Sequence, residues 1–158
     1  MRNREISRQI QRLQLLVKKT QEASNDSVEI QSHWAKYLCV ISAGVIENAI
    51  KEIYIEYVQR MVSKPVANYV ISNLGQLRNP KTQKFLETAA AFKTIWKEDL
   101  ESFVLVNGRG DAIDSIMGNR HLIAHGKDAN SRITIAQLKD YLLKAIEVLE
   151  FIEDQCTK

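Results

Sequence analysis

Glycine and proline are scarce, six and two among 158 residues, about 5% of the chain where roughly 12% is usual. Sandwiches, barrels and propellers need turn formers at short intervals, so this scarcity argues against them and for long helices. Cysteine is as scarce as proline. Cys39 and Cys156 stand alone with no Cys-x-x-Cys pair, which suggests neither a disulfide framework nor a structural zinc site. Long hydrophobic runs are missing too. The longest nearly apolar stretch, 37–46 (YLCVISAGVI), has ten residues, half of the about 20 that a membrane-spanning helix takes. The opening MRNREISRQIQR carries charge with no apolar run behind it and does not read as a secretory signal, so the expected location is cytoplasmic with no membrane partner. Neither sign of charge dominates. Lys and Arg total 22 and Asp and Glu 19, and the resulting net +3 permits a polyanionic partner without requiring one.

What is present reads as a compact all-α helical bundle forming one domain over 1–158. An apolar fraction of 45% and a charged fraction of 26% suit a packed core rather than disorder. A first helix is predicted over 4–23, with Ile6, Ile10, Leu13 and Val17 on one face and Arg8, Arg12 and Lys19 off it. Those cations can track a nucleic-acid backbone or simply face solvent. The segment SNDS (24–27) supplies cap residues, and Asp26 with Glu29 has capping-box spacing.

A long second helix follows over about 27–63. Trp34, Leu38, Ile41, Val45, Ala49, Ile53 and Tyr57 recur at three- and four-residue steps and predict its core stripe. Gly44 inside it costs about 1 kcal/mol relative to alanine, an expense that close approach of a neighbouring helix would offset. Lys64-Pro65 starts a short helix, since proline fits a first turn, and Asn79-Pro80 breaks the chain again. One or two helices carry Phe85, Phe92, Ile95, Trp96, Leu100 and Phe103, and Asn107-Gly108-Arg109-Gly110 reads as a turn. The next helix is expected from near Asp111 to His125-Gly126, where glycine can take the left-handed terminating conformation. Thr134 and Gln137 then open a long C-terminal helix with Ile135, Leu138, Leu142, Ala145, Leu149 and Ile152 at heptad steps. That stripe either packs inside the chain or forms a dimer seam.

The segment most able to carry chemistry is 118–126 (GNRHLIAHG). Arginine is a fixed cation suited to phosphate oxygens, and histidine moves protons near neutral pH. On an ideal helix Arg120 and His125 lie about 140° apart with a rise of about 7.5 Å, a separation that a long arginine partly bridges. A helix ending at Gly126 puts His125 at the negative dipole end, which favours an imidazolium. An Arg–His pair of this kind suits a phosphodiester. The plainer alternative is a solvated Arg120 and a His125 that caps the helix.

Arg120-x4-His125, with polar His121 after the arginine and small apolar residues before the histidine, resembles the R-x4-6-H signature of the HEPN superfamily. NRHLIAHG followed by a long amphipathic helix is similar to the RiboL-PSP type within it. The stretch 33–57 (HWAKYLCVISAGVIENAIKEIYIEY) resembles that group's long second helix, including its Gly-x-x-Glu step at Gly44 and Glu47. The resemblance runs from about residue 32 to the C-terminus. It implies a helical bundle that homodimerises and joins two such motifs into one composite, metal-independent ribonuclease site with no cofactor. It further implies a role as a toxin or defence effector acting on RNA and held in check by an antitoxin protein. Under that resemblance Arg120 and His125 are the expected catalytic residues.

RNA brings its own nucleophile, the 2′-hydroxyl. Cleavage then needs a base for that proton, an acid for the departing 5′-oxygen and a cation for the phosphorane. Two copies of His125 and two of Arg120 supply all three, leaving a 2′,3′-cyclic phosphate and a 5′-hydroxyl. Asn119 and His121 flank the arginine and either support the scissile phosphate or are surface polar residues. Glu47, in an apolar stretch where an unpaired carboxylate is costly, pairs with Arg120 or another cation near the site, or else faces water. His121 and His125 have the spacing of two zinc ligands, but Leu122 stands where a zinc protease carries its glutamate and no third ligand is evident. His33 beside Trp34 reads as a packing or capping residue, and Arg109-Gly110-Asp111 as a turn and helix start. The rival to the enzyme is a non-catalytic helical module that dimerises or binds RNA or a partner protein.

Overall fold

A computed structural model describes residues 1–23 and 27–158. The expected Asp26–Glu29 capping box rests on a residue outside these. Seven α-helices span the described residues: α1 (Arg4–Ala23), α2 (Val28–Met61), α3 (Lys64–Leu74), α4 (Thr82–Phe92), α5 (Thr94–Val104), α6 (Arg109–Ala124) and α7 (Ile135–Thr157), with a 3-10 turn at Asp128–Asn130 between the last two. There are no strands among them. The all-α architecture is the one that the glycine and proline counts predict, and the long second and last helices are those that the apolar spacings predict.

Helices α1, α2 and α7 begin where a side chain satisfies their first free amides. The Asn3 carboxamide oxygen accepts from the N–H groups of Glu5 and Ile6, each at 3.0 Å. Ser27 accepts from the N–H of Ile30 at 3.3 Å. Thr134 and Gln137 form the complete reciprocal box, both bonds at 3.1 Å. Pro65 sits in the first turn of α3, where no intrahelical donor is needed.

The core gathers around α2, which packs against α1, α3, α6 and α7. Its buried residues run Ala35, Leu38, Cys39, Ser42, Ala43, Ile46, Ala49, Ile50, Ile53, Tyr54 and Val58. That arc is wider than one stripe because helices press on it from several directions. Two expectations for α2 fail here. Trp34 is 41% exposed rather than buried, since the first two turns of α2 run past the core, and Ile41 and Val45 lie at its margin. Gly44 is exposed, and a Cβ there would meet nothing within 4 Å. Among the described residues no helix closes on Gly44, so close packing does not offset its helix cost.

The stripe of α7 resolves the two alternatives left open for it. Ile135, Leu138, Leu142, Ala145, Leu149 and Ile152 are all buried inside the chain, where α7 packs on α2 and α6. The apolar segment after Pro80 forms two helices, divided at Lys93. α6 starts at Arg109, two residues ahead of the expected Asp111. Gly108 turns the chain in the left-handed region at φ 67°, and Arg109 is drawn into the helix by Glu147 at 2.6 Å and by stacking over Phe103 at 4.0 Å.

Candidate functional site

The inner face of α6 is fixed by Ala112, Ile113, Ile116 and Met117, all fully buried. Helical periodicity then puts Gly118, His121 and His125, at steps of three and four, together on a different face. Both histidines are exposed, and their rings lie 4.3 Å apart, tilted by 53°. α6 stops by a Schellman closure: the N–H of Lys127 donates to Leu122 O at 2.8 Å and that of Gly126 to Ile123 O at 3.3 Å. The closure needs a left-handed residue, and Gly126 supplies it at φ 68°. His125 is thereby held at the cap position, its own N–H on His121 O at 3.2 Å.

The chain beyond His125 is tied down twice. Asn119 accepts a hydrogen bond from the buried Ser131 hydroxyl at 2.7 Å while donating to Ser115 O at 2.8 Å. Lys36 on α2 reaches Asp128 at 3.4 Å. Both polar atoms of Asn119 are therefore engaged in holding the α6–α7 connection onto α6.

Arg120 is half-buried, and among the described residues its guanidinium makes no hydrogen bond and no ion pair. Its backbone N–H instead faces the sulfur of Cys39. Burial pushes that thiol up to about 12 against the opposing pull of the Arg120 N–H. Cys39 is thus a neutral core group that donates to Ile116 O at 3.4 Å and is no nucleophile.

Glu47 faces a cation, and the cation in contact is Lys51, one turn along α2 at 2.8 Å. The second carboxylate oxygen accepts the N–H of Asn79 at 2.6 Å. Burial alone would raise this carboxyl. The Lys51 and Asn79 hydrogen bonds, with the charges of Lys51 and Arg120, outweigh it and hold Glu47 below the usual carboxylate range. Arg120 is accordingly within electrostatic reach of Glu47 without touching it. Asn79 also spans to α6, its side-chain amide donating to Met117 O at 3.2 Å.

Asn79 is the site residue that sequence reasoning missed. It was legible only as half of a chain-breaking Asn-Pro pair, although its left-handed φ of 43° is the conformation asparagine tolerates best after glycine. The structure therefore gathers Arg120, Glu47, Lys51 and Asn79 between α2 and α6, with His121 and His125 on the adjoining outer end of α6. Within one chain no hydrogen bond or ring contact joins Arg120 to His125 among the described residues. No group of three His, Cys, Asp or Glu side chains among them could hold a metal ion. His33 is exposed beside Trp34 and Tyr37, in a shallow surface hollow.

A model of the RiboL-PSP-HEPN family matches residues 2–158. The chain belongs to that family. The match extends the likeness seen from residue 32 back through α1, so the basic first helix of this RiboL-PSP-HEPN chain is part of the family unit. Membership in a HEPN family points to RNA, as the substrate of a ribonuclease or as a bound partner. No curated protein and no solved structure is matched. Among the described residues, no helix is long and apolar enough to cross a membrane.

Proposed function

We propose that this RiboL-PSP-HEPN chain is a metal-independent endoribonuclease whose working site is shared by two copies of the chain. It acts as a toxin or defence effector in the cytoplasm and is restrained by an antitoxin protein. The observation that carries the reading is an Arg120 guanidinium with no hydrogen bond or contact ion pair among the described residues, beside an α6 end that exposes His121 and His125. A guanidinium whose donors no carboxylate takes up is suited to a phosphate.

In the proposed reaction one His125 takes the proton of the ribose 2′-hydroxyl, whose oxygen attacks phosphorus. The P–O5′ bond breaks, and the other His125 gives its proton to the leaving oxygen. Both Arg120 side chains face the phosphorane, where preorganised positive charge matters most. The products are a 2′,3′-cyclic phosphate and a 5′-hydroxyl. Asn119 serves by holding the connection after His125, Glu47 by its part in the electrostatic setting of Arg120, and His121 by its ring against His125.

Two faces that leave Gly44 and Gly118 open among the described residues support the pairing of chains. On α2, Tyr37, Val40 and Gly44 share a side by periodicity and are exposed. On α6, Gly118 meets nothing within 4 Å of an added Cβ and precedes His121 on the same side. With the α7 stripe consumed in the core, these faces are the apolar and small-residue surface adjoining the site.

The test is cleavage of single-stranded RNA in EDTA by wild type, Arg120→Ala and His125→Ala, alongside light scattering. A cleaving dimer whose two variants lose at least about a hundredfold, the scale of removing one catalytic proton-transfer group, is expected. Equal activity in all three would remove the catalytic assignment. A monomer that binds RNA without cutting it would make the chain a binding module.

A further inference from the structure

We propose that Arg78, in the turn between α3 and α4, is an additional contact for the RNA backbone, presented to the site by Asn79. The inference rests on the endoribonuclease reading and names a substrate contact for that same site. It begins with how tightly the turn is held. Asn79 is pinned to α2 through its N–H on Glu47 at 2.6 Å and to α6 through its amide on Met117 O at 3.2 Å. Pro80 behind it is buried and has a fixed φ. A turn fastened to both helices that flank Arg120 is a wall of the site.

Arg78 is the next residue along this wall. Covalent geometry puts its Cα within about 5 Å of the Glu47 oxygen that accepts the Asn79 N–H. Its side chain is exposed and makes no hydrogen bond or ion pair among the described residues. Lys81, further along the turn, is exposed and its ammonium makes no hydrogen bond or ion pair among the described residues, whereas Lys51 is committed to Glu47 and Lys36 to Asp128. Arg78 and Arg120 are not. Glu47 does not repel the approaching polyanion in full, because Lys51 and the Asn79 N–H occupy both of its oxygens. A guanidinium carried by this turn fits the fork of a phosphate oxygen pair, here a phosphate flanking the one that is cut. Arg78 is thus a binding residue that touches no reacting atom.

The experiment measures binding of a fluorescent single-stranded RNA to the His125→Ala protein, which holds its substrate uncut, over a series of salt concentrations. Adding Arg78→Ala should weaken binding about tenfold, as loss of one charged contact does, and flatten the log–log salt slope by about 0.7. Arg78→Lys should keep the slope while recovering part of the affinity. In the cleaving protein, Arg78→Ala should raise KM and spare kcat. An unchanged affinity and slope in Arg78→Ala, with Arg120→Ala weakened, overturns the inference and leaves the ribonuclease reading standing. If the His125→Ala protein binds no RNA and wild type cuts none, both fall together.

Discussion

Replacing Glu47 by glutamine tests whether the carboxylate organises the junction of α2, α6 and the α3–α4 turn. The side chain keeps its volume and loses its charge. Glu47 takes the Lys51 ammonium at 2.8 Å and the Asn79 N–H at 2.6 Å, with the Glu47 and Lys51 side chains only 16% and 17% exposed. Hydrogen bonds to a charged group contribute about 1.5–3 kcal/mol, against about 1 for a neutral pair. Glutamine retains one acceptor and turns an N–H2 toward one of the two donors. The expected loss at neutral pH is therefore about 2 kcal/mol, or about 4–8 °C in Tm for a chain of this size. The pH dependence gives a second check. The folded carboxyl lies below its ordinary range, so its contribution is complete above the unfolded value of about 4.3 and is lost as pH falls through the lower folded value. Urea denaturation followed by tryptophan fluorescence, run from neutral pH downward, should show a gap between wild type and Glu47→Gln. The gap should hold steady until acid protonates the native carboxylate and then close. Equal midpoints at neutral pH, or a gap that survives that protonation, would refute the assignment of Glu47 as a clamped anion.

Two further outcomes follow from the same geometry. Ser131→Ala removes the hydroxyl that donates to Asn119 and should cost about 1–2 kcal/mol, with faster protease cutting between residues 126 and 134; an unchanged digestion pattern would detach this hydrogen bond from the order of that connection. Gly44→Arg enters open space on α2, so thermal melting should show a fold as stable as wild type or more so. Light scattering should show loss of the dimer and RNA assays loss of cleavage, whereas a persisting dimer would rule out that face as the seam.

Arg120 and His125 stood out as candidates because they share a short, spaced motif at the end of one helix, and the terminating role of Gly126 followed from local backbone rules. Glu47 was recognisable as an anomaly, a carboxylate in an apolar stretch. Its partners were not. Lys51 lies one turn away in sequence, but which rotamers meet depends on the packing around α2. Asn79 is more than thirty residues from Glu47 and from Met117, and no local pattern announces that a turn will be bolted to two distant helices. Trp34 was misread because its spacing fits the stripe of α2 while that end of the helix has no neighbour among the described residues deep enough to bury it.

The sequence by itself determined the helices, most of their ends and the class of fold, because those rest on interactions within a few residues: caps, periodicity, and glycine or proline at the ends. The fate of each helical face was decided by tertiary structure. An apolar stripe is equally content against its own chain or another, and only the packing of α2 and α6 on α7 consumed the stripe of α7. That same packing left Gly44 and Gly118 open and, among the described residues, Arg120 without a counter-ion in contact. Burial and charge pairing are properties of what lies across the gap, which a linear order of residues does not contain.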